Sequence, residues 1–166
     1  MLDLILDVKT PDSQDAYEAG VYTEFIDQRS HRHTVHDDKI YQKGILDFIA
    51  HLDRALSRLD FTNDAQAYSR QEQLNAMRIA AEGIITLGKR HADEARRQAA
   101  EAADPGRKAE LEEIARICDK VPAHKPDTFH EALQYYWFVH LGVTTELNPW
   151  DAFNPGRLDQ HLHPYY

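Results

Sequence analysis

Cysteine is nearly absent from this sequence, since Cys118 is the single one among 166 residues. One thiol cannot form an intramolecular disulfide, and it leaves no Cys-x-x-Cys pair for a structural metal site. Such a low cysteine content is typical of a reducing compartment, so the sequence predicts a cytoplasmic protein. Cys118 lies in an amphipathic pattern beside Asp119, a neighbour that does not favour a thiolate, and we expect it to pack as an apolar side chain.

Basic residues are also few, because 19 lysines and arginines stand against 28 aspartates and glutamates, for a formal net charge of −9. Binding to a phosphate backbone or to an anionic membrane surface needs positive charge, so neither a nucleic acid nor a membrane is an expected partner. The longest apolar run, residues 135–145, is interrupted by His140 and Gly142. It is well short of the about 20 residues that a membrane-spanning helix needs.

Apolar residues that recur every three or four positions are the main pattern of the chain, and this spacing predicts amphipathic helices. The pattern predicts helices over residues 13–28, 39–59, 64–103 and 111–118. Residues 29–38 have no such period and are predicted to form a polar loop. Asp104-Pro105-Gly106 is predicted to end the third of these helices, because proline cannot continue the hydrogen-bond ladder and glycine permits a reversal.

A nearly all-apolar helix is predicted over residues 129–142. The two prolines of residues 121–126 predict an extended segment before Thr128. The Thr128 hydroxyl can cap the start of the helix, and the carboxylate of Glu131, three residues later, can accept a hydrogen bond from the Thr128 amide. A helix without a polar face has to be buried on all sides. Its His140 is predicted to be a core histidine, and the aromatic residues that end the chain predict apolar surface for a partner outside these 166 residues.

Three histidines and two aspartates lie within eight residues, in His31-Arg-His33-Thr-Val-His36-Asp-Asp38. Imidazoles and carboxylates are zinc ligands, and the spacing is similar to the His-x-His-x-Asp-His of metallo-β-lactamase-type hydrolases, with Val35 in place of the aspartate. A metal-dependent hydrolase that uses His31, His33 and His36 is therefore one hypothesis. A solvated polar loop without a metal is the simpler interpretation, and spacing alone does not identify a reaction.

Two longer motifs resemble a known family. They are Thr128-Phe-His-Glu-Ala-Leu-Gln-Tyr-Tyr-Trp-Phe138 and Gly156-Arg-Leu-Asp-Gln160 with Pro164-Tyr-Tyr166. They resemble the "tFxEALQxxwF" helix and the "GRxDQxLxPyY" element of the glycyl radical enzymes, the pyruvate formate-lyase family that includes glycerol, propanediol and hydroxyproline dehydratases. Shorter stretches in the same order, among them Glu24-Phe-x-x-Gln-Arg29 and Asp38-Lys-Ile-Tyr-x-Lys-Gly44, extend the resemblance over nearly the whole chain.

The resemblance implies a fold and a chemistry. The family fold is a ten-stranded α/β barrel wrapped in helices, of which this chain would be a mainly α, helical portion with at most one or two strands. Residues 1–166 would then form a partial pyruvate formate-lyase-like domain. The family's glycyl radical is installed by a radical S-adenosylmethionine activating enzyme and oxidises a cysteine, which takes a hydrogen atom from a small-molecule substrate in a closed pocket. Family members are homodimers.

The 166 residues contain no Arg-Val-x-Gly-Tyr glycyl radical element, and Cys118 is not at the position of the radical cysteine. No catalytic residue, cofactor or metal is therefore assigned to this chain, and alone it is expected to be inactive. His33 matches the family's "GHT" stretch near the active site, and Arg157 matches a barrel-strand element, so both are predicted to contact substrate. A structural pairing of Arg157 with Asp159 is the alternative. A non-catalytic helical binding module remains a further hypothesis.

Overall fold

The computed structural model describes residues 41–146 and 158–166, together with Pro11, Asp15 and Ala19. Over these ranges the chain forms α1 (Ile45–Leu56), α2 (Ala67–Glu101), α3 (Pro105–Lys120), α4 (Phe129–Glu146) and α5 (Leu158–Leu162), followed by a 3₁₀ turn (His163–Tyr165). No strand forms within this part of the chain, so the prediction of a mainly α chain is confirmed. The helix predicted over residues 13–28 and the loop over 29–38 lie outside the described residues.

Helix α1 begins at Ile45, later than the apolar pattern predicts. Gly44 is the N-cap residue, and its amide donates a hydrogen bond to the Asp47 carboxylate at 2.9 Å. The first amides of α1 are satisfied by another part of the chain, since the Ile45 amide donates to the Pro122 carbonyl at 2.9 Å. The start of this helix is therefore set by a tertiary contact as well as by its own cap.

Helices α2 and α3 pack along each other through small side chains. Ala92, Ala95 and Ala99 of α2 are all buried. Asp104 is the N-cap residue of α3, and its carboxylate accepts a hydrogen bond from the Arg107 amide at 2.8 Å. Pro105 occupies the first helical position. Asp104-Pro105-Gly106 does separate the two helices, but Gly106 lies in the first turn of α3 and not in a reversal.

The link between α3 and α4 begins with a turn, so the prediction of an extended segment over residues 121–126 holds only in part. Val121 has extended backbone angles, but the His124 amide donates to the Lys120 carbonyl at 2.8 Å. The Val121–Pro122 peptide bond is cis. The predicted cap at the start of α4 is confirmed, because the Glu131 amide donates to the Thr128 hydroxyl at 3.3 Å. The Thr128 amide donates in return to the Glu131 carboxylate at 3.3 Å.

Among the described residues, helix α4 is packed on one side and exposed on another. Tyr135, Phe138 and Val139 are buried against the other helices. The exposed fractions of Phe129, Leu133 and Trp137, which follow one another at four-residue spacing, are 40%, 36% and 49%. Within the described residues, α4 is therefore not buried on all sides. The uncovered apolar surface that the sequence predicts is present on this helix.

The exposed stripe of α4 continues into the C-terminal segment. An open groove of about 350 Å³ lies there, and it is lined by Phe129, Leu158, Asp159, Leu162, His163 and Tyr166. The helices of the described ranges include none that combines the length and the hydropathy of a membrane span.

Candidate functional site

Four of the residues singled out in the sequence lie outside the described residues: His31, His33, His36 and Arg157. The metal-site hypothesis on the three histidines stays a hypothesis. Over residues 41–146 and 158–166, no three histidine, cysteine, aspartate or glutamate side chains are grouped so that they could hold a metal ion. Asp159, the alternative partner of Arg157, is exposed and lines the C-terminal groove.

Tyr41 contacts the C-terminal segment of the chain. The centroid of the Tyr41 ring lies 6.1 Å from that of His161 and 5.7 Å from that of Tyr165, both in edge-on contacts. Aromatic pairs at these distances and angles are stabilising. The structure therefore brings Tyr41, which is eight residues after His33 in the sequence, into contact with the segment that begins directly after Arg157.

Two tyrosine hydroxyls hold the backbone at this meeting point, and we call this pair of hydrogen bonds the tyrosine clasp. The Tyr135 hydroxyl of α4 donates to the Lys43 carbonyl at 3.1 Å. The Tyr165 hydroxyl of the 3₁₀ turn donates to the Tyr41 carbonyl at 3.1 Å. Residues 41–43 are thus attached to α4 and to the C-terminal segment at the same time.

Burial raises the pKa of both clasp tyrosines, Tyr135 and Tyr165. It also raises the pKa of the neighbouring Tyr41 to about 12, with Tyr136 adding to the effect. A phenol that stays protonated at neutral pH is a hydrogen-bond donor and not a general base. The clasp therefore holds the backbone in place and offers no group for proton abstraction.

A buried carboxylate, Glu131, joins α3 to α4. The Glu131 side chain is only 2% exposed and accepts hydrogen bonds from the Lys120 ammonium at 2.5 Å and from the Arg116 guanidinium at 3.3 Å. The Asp127 amide donates to it at 2.8 Å. Burial alone would raise the pKa of Glu131, but these three donors outweigh it and lower that pKa.

The Lys120 ammonium also has a second acceptor, the Asp127 carboxylate, at 2.8 Å. Burial disfavours the ammonium, but its hydrogen bonds to Asp127 and Glu131 outweigh the effect and raise the pKa of Lys120. The cluster of Arg116, Lys120, Asp127 and Glu131 is therefore fully ionised at neutral pH. It stabilises the corner that begins α4.

Cys118 lies on a packed face of its helix, as the sequence predicts, whereas His140 is only half-buried and not a core residue. The Cys118 side chain is buried with Ala92 and Phe138. Burial, with a smaller contribution from Asp119, raises the pKa of the thiol to about 11. His140 is half-buried and stacks on Tyr136 and Trp137, with centroids 5.9 and 5.6 Å away.

The thiol of Cys118 is expected to be almost unreactive in the folded protein. With a pKa of about 11, only about one thiol in a thousand is ionised at pH 8, and the sulfur is covered. Alkylation by iodoacetamide at pH 8 should therefore be at least about 100-fold slower in the native chain than in the chain unfolded by urea. Equal rates in the two states would contradict the packing role.

Sequence analysis did not assign a role to Tyr41, Tyr135 or Tyr165. A signal was present, because Tyr41 and Tyr165 lie within the two family motifs Asp38–Gly44 and Pro164–Tyr166. Their contact could not be derived from periodicity, which reports only which side of a helix is apolar.

Comparison with known proteins shows the family of the chain. The pyruvate formate lyase-like family matches residues 1–166. Over 164 residues, 99% of the chain, the sequence is 54% identical to the trans-4-hydroxy-L-proline dehydratase of Clostridioides difficile, of which it covers 21%. It is 33% identical over 93% of its length to the isethionate sulfite-lyase of Nitratidesulfovibrio vulgaris, of which it covers 19%.

Solved structures show the same relationship. The crystal structure of the C. difficile hydroxyproline dehydratase with trans-4-hydroxy-L-proline bound superposes on 99% of this chain with a TM-score of 0.78. The glycerol-bound, B12-independent glycerol dehydratase of Clostridium butyricum is 28% identical, with a TM-score of 0.74 over 97% of this chain. The chain spans about a fifth of the length of these relatives. It belongs to the pyruvate formate lyase-like family of glycyl radical enzymes.

Proposed function

We propose that this chain is part of a glycyl radical dehydratase whose substrate is trans-4-hydroxy-L-proline, with residues 1–166 forming one portion of its catalytic domain. The observation that carries the proposal is the 54% identity to a dehydratase of that substrate over 99% of the chain. Identity to relatives that act on isethionate or glycerol is much lower, at 33% and 28%.

The proposed role of this chain is to bind and orient the substrate. The glycyl radical of the longer enzyme supplies hydrogen-atom abstraction through a cysteine. An imidazole at His33 can donate a hydrogen bond to a substrate hydroxyl and so orient it. A guanidinium at Arg157 can bind a carboxylate through two parallel hydrogen bonds.

The contact between Tyr41 and the C-terminal segment supports this pairing of His33 with Arg157. Tyr41 lies eight residues after His33, and Leu158 follows Arg157 directly. Since Tyr41 packs on His161 and Tyr165, the two candidate residues are attached to chain segments that meet. The proposal also includes a radical S-adenosylmethionine activating enzyme as partner, a homodimeric enzyme and a cytoplasmic location.

A chimera tests the proposal directly. In it, this chain replaces the aligned 164 residues of the C. difficile dehydratase, and the radical is installed anaerobically by that enzyme's own activating enzyme. We expect dehydration of trans-4-hydroxy-L-proline and none of glycerol or isethionate. A folded, radical-bearing chimera without activity on hydroxyproline would refute the proposal and favour a non-catalytic module. The chain alone, as a negative control, should be inactive.

In this chimera, His33→Ala is expected to lower kcat/KM for hydroxyproline by about 100-fold, because misplacing a bound substrate by about 1 Å can cost that much. His36→Ala is the matched control, since it is a histidine of the same stretch to which the family motif gives no role. Its kcat/KM should stay within about threefold of the parent. Equal losses in the two variants would contradict a specific role for His33.

A further inference from the structure

We propose that the exposed stripe of α4, with the C-terminal groove beside it, is the surface on which the remaining part of the catalytic domain packs. The stripe consists of Phe129, Leu133 and Trp137. The inference rests on the proposed function, in which residues 1–166 are one portion of a longer domain, and it names the contact surface between that portion and the rest. The occupant is the same enzyme and not a second copy of this chain.

The stripe and the groove form one continuous apolar surface. The stripe residues recur every four positions, so they follow a line about 12 Å long at 1.5 Å of rise per residue. Phe129 lines the groove as well, where Leu158 and Tyr166 are 39% and 101% exposed. Exposed apolar side chains that occur singly are normal, but a contiguous apolar surface marks an interaction site.

The surface of α2 and α3 has the opposite chemistry. In α2, Arg97 pairs with Glu94 at 2.7 Å and with Glu101 at 2.8 Å. In α3, Arg107 pairs with Glu110 at 2.9 Å, and all five side chains are exposed. Covering such pairs with protein would remove their hydration at a high cost in free energy. The charged surface therefore suits contact with water, and the stripe suits contact with protein.

The comparisons indicate which protein covers the stripe. The C. difficile dehydratase structure superposes on 99% of this chain, which is 21% of that chain. About four fifths of the relative thus lies outside the matched portion. Two portions of one domain share a hydrophobic core, so the matched portion needs an apolar contact surface. The stripe and its groove supply one without a further partner.

The test measures how accessible one stripe position is in two settings. Leu133→Cys is made in the isolated chain and in the chimera without a radical, and the rate of its alkylation by iodoacetamide is followed by mass spectrometry of the labelled peptide. Ile79→Cys is the matched control, because Ile79 is 69% exposed on α2, between the exposed Asn75 and Gly83 one turn away. Trp137→Cys is a second stripe variant, and circular dichroism shows that each variant is folded.

In the isolated chain, Leu133→Cys and Ile79→Cys should both react within about threefold of their rates in urea, since an exposed thiol is freely accessible. In the chimera, the rate of Ile79→Cys should not change, whereas that of Leu133→Cys should fall at least about 100-fold, because a covered thiol reacts only when the structure opens. Trp137→Cys should behave like Leu133→Cys.

Equal rates for Leu133→Cys in the chimera and in the isolated chain would overturn the inference. Protection already present in the isolated chain would overturn it too. If that protection is lost on dilution, a second copy covers the stripe, and if it persists, another part of the same 166 residues does. A chimera that protects Leu133→Cys but does not dehydrate hydroxyproline would refute the proposed substrate and support the contact surface, so the two failures are distinguishable.

Discussion

Gly44→Ala is expected to destabilise the chain by about 3 kcal/mol, the upper part of the range for overpacking substitutions. A Cβ at residue 44 would lie 2.2 Å from the Ala123 carbonyl oxygen and 2.5 Å from the His124 Cα. Both are backbone atoms of the corner between α3 and α4, so no side chain can rotate out of the way. The φ angle of Gly44 is −88°, an ordinary value, and the loss comes from space alone.

Urea unfolding followed by circular dichroism at 222 nm measures this effect. Gly83→Ala is the matched control, because a Cβ there would meet nothing within 4 Å and the residue is exposed within α2. That change should stabilise the chain by about 0.5–1 kcal/mol, since glycine is a poor helix residue. A Gly44→Ala variant as stable as the parent would show that the α1 contact with residues 122–124 is looser than the structure indicates.

Glu131→Ala is expected to cost about 3 kcal/mol, the upper end of the range for hydrogen bonds to a charged group, because several donors lose one shared acceptor. Lys120, whose side chain is 26% exposed, keeps its contact with Asp127. The variant also removes the acceptor of the Asp127 and Thr128 amides at the start of α4. Glu113→Ala is the matched control, since Glu113 pairs with Arg116 in an exposed bridge, and it should change stability by less than about 1 kcal/mol.

The same carboxylate is expected to make stability depend on acid pH. The pKa of Glu131 is lowered in the folded chain from its ordinary value of 4.5. Its contribution is therefore fully present above pH 4.5 and is lost as the pH falls through the folded-state pKa. Unfolding free energies measured from pH 6 down to pH 3 should fall more steeply for the parent than for Glu131→Gln. Parallel curves would mean that Glu131 is not ionised and paired.

The exposed apolar stripe of α4 can be compared with the greater length of the relatives. Phe129, Leu133 and Trp137 form an uncovered apolar row, while the relatives are about five times longer than this chain. An apolar row of this kind is normally covered in a finished domain. This uncovered row supports the proposal that residues 1–166 form one portion of a larger catalytic domain.

Much of the helical fold could be predicted from local pattern. The periodic apolar residues predicted α1, α2 and α3, with errors of up to six residues at the ends, and the Thr128–Glu131 cap was predicted at its observed place. The family motifs also identified the kind of enzyme and singled out His33 and Arg157. Helix periodicity, caps and motifs each depend on residues that are close together in the sequence, so they can be recognised from one sequence alone.

The geometry of the site could not be predicted in the same way. Nothing in the local pattern shows that Gly44 faces the Ala123 carbonyl, that Glu131 pairs with Lys120 from the end of another helix, or that Tyr165 donates to Tyr41. The sequence by itself determined the helices, one cap and the family. Only the tertiary structure decided which distant residues meet, because those contacts depend on how whole helices pack and not on the periodicity of any one of them.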